Sequence, residues 1–327
     1  MVDVMIPCFR PDEKLEELLR RLDRQTERPG RVILINTGRE LLAKGQAEAW
    51  QRDYPYVSVR HITQEEFDHG GTRNLGASLS DAAYLLFMTQ DAVPADRHLI
   101  ENLLAVMKNR NIAAVYARQL PGRKSGEIEA FTRKFNYPEQ SAVKTKEDLP
   151  RLGVKTYFCS DVCALYRRSA FDAMGGFKAH LICNEDMLMA ARLIQAGWAV
   201  GYAADARVIH AHRYTLRQQY SRNFDVGAFM KMHEAELAVS TPTGEGIRLV
   251  RETALHLLKK GEFWLLPELC AVSAAKYLGF RAGSRYQEMP PERRVRHGMN
   301  RGFWKQFGTD AAGQTKEDEG AETHGTQ

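Results

Sequence analysis

The features that mark a secreted, membrane-spanning or nucleic-acid-binding chain are scarce here. The 327 residues hold only five cysteines, Cys8, Cys159, Cys163, Cys183 and Cys270. That number is odd and contains no Cys-x-x-Cys pair, so neither a disulfide framework nor a cysteine zinc site is indicated, and the chain reads as reduced and cytoplasmic. No run of about 18 apolar residues exists, so no membrane-spanning helix is expected. The N-terminus, Met-Val-Asp-Val-Met-Ile-Pro, has an acid at position 3 and no basic region, and reads as a first strand rather than a signal peptide. The net charge of +5 is too small to argue for nucleic acid, which is not expected as a partner. It suits an anionic substrate such as a nucleotide diphosphate, or an anionic membrane surface. The Gly-Lys-Ser/Thr ending of a P-loop is missing, and no internal repeat is visible.

What is present is an ordinary globular composition, 44% hydrophobic and 27% charged. In the first half, short apolar runs alternate with helical patterns. Val2 to Ile6, closed by Pro7, reads as a buried strand, and Val32 to Ile35, Tyr56 to Arg60, Tyr84 to Met88 and Ile112 to Tyr116 follow. Between them, Leu15, Leu18, Leu19 and Leu22 have the spacing of one helix face. Further helices are expected over Glu40 to Arg52, over Thr72 to Ser80 and from Pro94. This alternation predicts an open, mostly parallel sheet flanked by helices, with ligands at the carboxyl ends of the strands. The stretch Pro121 to Gly153 reads as loop. Glu185 to Ala196 reads as a helix capped by Gly197. Ala199 to Ala203 and Arg207 to Ile209 read as two short strands, and Leu249 to Phe280 as helical. Residues 308–327 are nearly without apolar side chains and are expected to be disordered.

Four segments carry candidate chemistry. Thr89-Gln90-Asp91 follows a strand, where a carboxylate either holds a hard divalent cation or caps the next helix. Asn184-Glu185-Asp186 opens a helix, where its acids either complement the helix dipole or supply a general base. In His210-Ala211-His212, strand geometry would put both imidazoles on one face, as metal ligands or as ordinary polar residues. In Phe67 to Gly76, Gly70 and Gly71 precede a helix start and Arg73 supplies a forked cation, suited to a phosphate or a nucleotide ring.

In order and spacing these segments resemble family 2 glycosyltransferases of the GT-A fold, and more narrowly their bacterial rhamnosyltransferase-like branch. The resemblance spans about residues 2 to 230. It is carried by Ile-Pro-Cys-Phe-Arg at 6–10, Phe-Asp-His-Gly-Gly-Thr-Arg-Asn-Leu-Gly at 67–76, Met-Thr-Gln-Asp-Ala at 88–92 and Ser-Asp-Val-Cys-Ala-Leu-Tyr-Arg-Arg at 160–168. Gly-Gly-Phe at 175–177, Asn-Glu-Asp at 184–186, Ala-Gly-Trp at 196–198 and His-Ala-His at 210–212 complete it; the spacing 210 − 186 = 24 fits the family. The resemblance implies an inverting transfer of a sugar, with dTDP-L-rhamnose as the expected donor and UDP-sugars as the alternative, to a growing or lipid-linked cell-surface glycan. It implies Asp186 as the base, with Glu185 as helper. A divalent metal, Mn2+ or Mg2+, would sit on Asp91 and His210 with His212 in reserve. Pro7, Phe9, Arg10 and Asn36 would lie against the nucleotide base, Gln90, Arg73 and Asp161 near the donor. Two positions depart from the family: Thr89 replaces the first acid of the Asp-x-Asp motif, and Asn36 replaces the usual base-contacting acid.

The catalytic part is expected over residues 1–235, with a C-terminal helical extension over 236–307. In that extension Phe263, Trp264, Phe303 and Trp304 accompany Arg281, Arg285, Arg293, Arg294, Arg296 and Arg301. Two readings stand: a peripheral contact at the inner face of the plasma membrane, or a helical cap with a homodimer interface. The rivals to an active transferase are a sugar-nucleotide-binding protein with weakened catalysis and a nucleotidyltransferase, which would want a Gly-rich basic loop after the first strand.

Overall fold

A computed structural model describes residues 1–212, 214–237 and 244–307. The strands are β1 (Val2–Phe9), β2 (Arg31–Thr37), β3 (Val57–Ile62), β4 (Tyr84–Met88), β5 (Val93–Pro94), β6 (Ile112–Leu120), β7 (Ala142–Lys144), β8 (Cys163–Arg167) and β9 (Ala199–Ile209). They form one sheet in the order β3-β2-β1-β4-β8-β6-β9-β5, with β7 on β9. The pairings β3–β2–β1–β4 and β6–β9 are parallel, as the strand–helix alternation predicts. β8 runs antiparallel between β4 and β6, so the sheet is mixed at its centre.

Helix α1 (Glu13–Asp23) shows why the first layer forms. Asp12 caps it by accepting from the Lys14 N–H at 3.0 Å, and the four leucines of its apolar face are all fully buried. They join Val4, Ile6, Val32, Leu34, Leu86 and Leu165 in the main core. Strand β1 runs past Ile6 through Pro7 to Phe9. Its ladder with β4 stops at Met5↔Phe87, so no partner on that side calls for the N–H that Pro7 lacks.

Elsewhere the elements shift from their expected bounds. A 3-10 turn (Arg39–Leu41) precedes α2 (Gln46–Asp53) where one longer polar helix was expected. Helix α3 (His69–Ser78) begins before the glycines, not after them. Pro94 lies in β5, paired with β9, and α4 (Leu99–Met107) starts five residues later (99 − 94 = 5). The stretch expected as loop holds α5 (Glu127–Asn136), β7 and α6 (Leu149–Leu152). Its polar composition concealed α5, whose apolar positions are only partly buried. The two expected short strands are one, β9, whose register with β6 shifts between Ala117 and Arg118. After α7 (Arg168–Ala173), α8 (Glu185–Gln195) ends as expected: Gly197 has φ 91° and Trp198 N–H returns to Leu193 O at 3.0 Å.

The chain divides into two compact units. One holds Met1–Ala179, Glu185–Arg213 and Leu237–Gly261, and so carries the sheet, α10's last residue and α11 (Gly244–Lys260), α10 being Glu234–Leu237. The other holds His180–Asn184, Tyr214–Glu236 and the residues from Glu262 on, including α9 (Leu216–Met232), α12 (Leu266–Gly283) and α13 (Pro291–His297). The segment expected to be disordered, 308–327, lies outside the described residues.

In the second unit α9 and α12 meet backbone to backbone. A Cβ added at Gly283 would stand 1.9 Å from Phe224 O, and one at Gly279 2.2 Å from Tyr220 O. Asp225 of α9 then clamps the end of the chain: its Oδ2 accepts from the N–H groups of Met299 (2.9 Å) and Asn300 (2.8 Å), and its Oδ1 from Trp304 Nε1 (2.8 Å). Trp304, an interfacial aromatic on one of the two readings of this extension, is therefore a core residue of this unit, 1% exposed. Gly283→Ala should lower the melting temperature, because the clash costs about 1–3 kcal/mol, more than helix propensity returns. Gly246→Ala in α11, whose Cβ would meet open space, should raise it slightly. Thermal unfolding of both variants by circular dichroism checks the contrast; equal shifts would refute it.

Candidate active site

The site residues gather at the carboxyl ends of β1, β4, β6 and β9 and at the start of α8. Asp91 follows β4, and His210 and His212 follow β9. His210 Nε2 lies 3.5 Å from Asp91 Oδ1, and His212 Nε2 3.5 Å from Asp91 Oδ2. The three ligand atoms lie within 4.8 Å of one another. The strand itself ends at Ile209, so strand alternation does not align the two rings. They meet edge to face instead, centroids 4.4 Å apart. One carboxylate and two imidazoles converging on one point fit a borderline divalent cation such as Mn2+. Lys14 Nζ adds positive charge 3.9 Å from Asp91 Oδ2.

The second layer is built around Arg73 of α3. Its Nη1 donates to Glu185 Oε1 at 2.9 Å and to His69 O at 2.9 Å, and its Nε faces Asp161 Oδ2 at 3.5 Å. Tyr166 OH donates to Asp161 Oδ1 at 2.8 Å. Asp186 Oδ2 accepts from the Asp161 N–H (3.1 Å) and Oδ1 from the Met187 N–H (2.7 Å). Arg73, Asp161 and Glu185 are buried and Asp186 is partly buried, and one guanidinium cannot balance three carboxylates. Burial works to raise Glu185, but Arg73, with His69 behind it, outweighs that and holds its carboxyl below the usual range. Burial and then the charge of Asp186 push Asp161 well up. Burial and then the charge of Glu185 push Asp186 up to about 6. Asp186 is thus a carboxylate poised near neutrality, the condition a general base needs.

Several expected roles change with the geometry. Arg73 is not a solvent-facing cation for a phosphate; it is the central ion-pair partner of Glu185 and Asp161. The glycines beside it serve packing: a Cβ at Gly70 would lie 2.3 Å from Lys178 O. Gln90 spends its amide on backbone, accepting from Phe9 N–H (2.9 Å) and donating to Phe9 O (3.0 Å). It thereby replaces the strand neighbour that β1 loses after Met5. Phe9 is exposed, and Arg10, at φ 46°, places its guanidinium 5.3 Å from the Phe9 ring centroid; Pro7 is half-buried beneath. Asn36 is buried. Its Nδ2 is taken by Gly38 O (3.2 Å) and the His61 ring (3.2 Å), and its Oδ1 is closed off from solvent. A cleft of about 360 Å³ opens beside it, lined by residues including Arg39, His61 and Glu66. Three residues join the site without having been singled out as candidates: Tyr166, Ser160 and Gln119. Gln119 is a lone amide near the end of an apolar strand, which is the one signal that could have exposed it.

A mixed, mostly parallel sheet with a carboxylate–imidazole group at its strand ends and a partly buried carboxylate at the start of α8 has the architecture of the GT-A fold. Solved structures agree on the fold. The mannosyltransferase PcManGT from Pyrobaculum calidifontis, in complex with GDP-Man and Mn2+, aligns at a TM-score of 0.54 and 16% identity, covering 94% of this chain and 86% of that one. S. aureus TarS 1–349 with UDP-GlcNAc aligns at 0.55 and 13% identity, covering 88% and 91%. The model of "Glycosyl transferase family 2" matches residues 3–175. The chain is 37% identical over 305 residues to the O-antigen chain rhamnosyltransferase RfbN of Salmonella typhimurium, covering 93% of this chain and 96% of that one. It is 35% identical to WbaN of Salmonella anatum, over 92% and 95%. The chain belongs to glycosyltransferase family 2.

With its carboxyl pushed up to about 6, Asp186 acting as the base would set the acid limb of activity. kcat/KM should rise tenfold per pH unit up to about pH 6 and then level, because only the ionised Asp186 accepts a proton. Asp186→Asn should lower it by roughly 10²–10⁴-fold and abolish that limb. A pH–rate profile of both proteins decides; an unchanged limb in the variant would assign it to another group.

Proposed function

We propose that this enzyme transfers L-rhamnose from dTDP-L-rhamnose, with inversion, to a growing or lipid-linked O-antigen-type cell-surface glycan. The observation that carries this reading is the match to two O-antigen chain rhamnosyltransferases over more than nine-tenths of both chains.

In the reaction, Asp186 takes the proton of the acceptor hydroxyl as its oxygen attacks the anomeric carbon opposite the leaving diphosphate. The N–H groups of Asp161 and Met187 hold the carboxylate in place, and Arg73 keeps Glu185 ionised so that it does not compete for the proton. A divalent cation held by Asp91, His210 and His212 would neutralise the charge that develops on the diphosphate. Phe9 and Arg10 offer an exposed ring and cation at the end of β1 for the nucleotide base. No covalent enzyme intermediate is required, and Cys8, Cys159 and Cys163 are buried thiols whose pKa burial raises. A cleft of about 350 Å³ beside Gln119, with Phe131, Tyr137 and His256 in its wall, offers room for an acceptor sugar.

A peripheral membrane contact fits a lipid-linked acceptor. Phe263 and Trp264 are each 63% exposed, and Tyr277 and Leu278 are exposed on the following helix. No described helix is long and apolar enough to cross a membrane.

Release of dTDP from dTDP-L-rhamnose, compared with release of UDP or GDP from their sugars, tests the reading directly. Turnover of the dTDP donor is expected with Mn2+ or Mg2+ and should be lost in Asp91→Ala. Turnover of UDP-sugars alone would overturn the donor assignment.

A further inference from the structure

Gln119 belongs to none of the motifs, yet it stands between the two layers of the site. It is the penultimate residue of β6 and is buried. Its Oε1 lies 3.0 Å from His210 Nδ1, and its Nε2 donates to Ser160 Oγ at 2.9 Å. Arg133 of α5 donates to the same Oε1 through Nη1. A guanidinium can only donate, so the Gln119 atom it meets must be the oxygen. The orientation of the amide therefore follows from chemistry. An amide oxygen can only accept, so His210 must carry a proton on Nδ1. In the neutral ring the lone pair then falls on Nε2, the atom facing Asp91 Oδ1 at 3.5 Å.

We propose that Gln119 is a positioning residue that holds His210 as its Nδ1–H tautomer, so that Nε2 offers a lone pair to a divalent cation beside Asp91. The inference rests on the metal reading of Asp91, His210 and His212. The opposite tautomer would point an N–H at Asp91 and tie both ligands into a hydrogen bond with each other. The choice between a closed His–Asp pair and an open ligand pair thus passes to a residue that touches neither metal nor donor. Arg133 secures that choice: rotating the Gln119 amide would set its NH2 against a guanidinium. Through Ser160, adjacent to Asp161, the same amide also ties the metal layer to the layer that holds Asp186.

Two readouts without turnover test this on the ligand-free protein. In 15N-histidine-labelled protein, long-range 1H–15N spectra report the tautomer of His210, assigned by its loss in His210→Gln. Mn2+ titration followed by the electron paramagnetic resonance of the free ion reports affinity. The wild type should show Nδ1–H and bind Mn2+. Gln119→Glu, which keeps an acceptor for both His210 and Arg133, should retain both properties. Gln119→Met should lose the Nδ1–H preference and bind Mn2+ roughly 10–100-fold more weakly. A wild-type His210 protonated on Nε2, or a folded Gln119→Met binding Mn2+ as tightly as wild type, would overturn the inference while leaving the metal reading intact. A wild type that binds no Mn2+ overturns that reading and this inference with it.

Discussion

One guanidinium among three carboxylates is the arrangement on which the site depends. Arg73 comes from the helix after β3, Asp161 from the loop before β8, and Glu185 and Asp186 from the start of α8. Arg73 would not be tolerated here without its carboxylates, nor Glu185 without Arg73, since an unpaired buried charge is far more costly than a solvated one. The cluster can form only once three distant parts of the chain are in place. Its imbalance is as consequential as its pairing. With one cation serving Glu185 most closely, the remaining negative charge falls on Asp161 and Asp186, and Asp186 acquires an affinity for protons that an exposed aspartate lacks.

The sequence exposed what is periodic or clustered. The leucines of α1, the apolar strands and the Gly197 cap all follow from local patterns, and Asp91, His210 and His212 lie with ligand atoms within 4.8 Å of one another. What it concealed are roles decided by tertiary geometry. Arg73 reads as a solvated cation because residue type says nothing of burial. Gln90 and Asn36 read as ligand contacts, yet each has its amide bonded to protein groups that no local pattern brings near. Helix α5 hides in a polar stretch because it covers the sheet with half-buried side chains. For Trp304 the sequence leaves an interfacial and a packed reading open, and the Asp225 clamp shows it as core.

The two layers of the site also differ in how they are made. The layer of the proposed base is organised by charge: two backbone donors meet Asp186, and the ion pairs of Arg73 lie beside it. The metal layer stands at strand ends, where Asp91 and His212 keep partial exposure and the ring of His210 is steered by neutral hydrogen bonding. Such a division suits a transferase, whose base must be set before the acceptor arrives while its cation site must admit and release a nucleotide with every turnover.

Gln90 adds a further consequence. It grips both backbone atoms of Phe9, and its immediate neighbour in the chain is Asp91. The loop offered to the nucleotide base and the carboxylate offered to the cation are therefore the two arms of one lever, with a single amide as fulcrum. A nucleotide base that displaced Phe9 would pull on Gln90, the chain neighbour of Asp91, and a cation that displaced Asp91 would pull on Phe9 in turn. By reciprocity, whatever factor the cation adds to nucleotide affinity the nucleotide adds to cation affinity. The two would load and depart as partners, with no need for a moving lid to synchronise them.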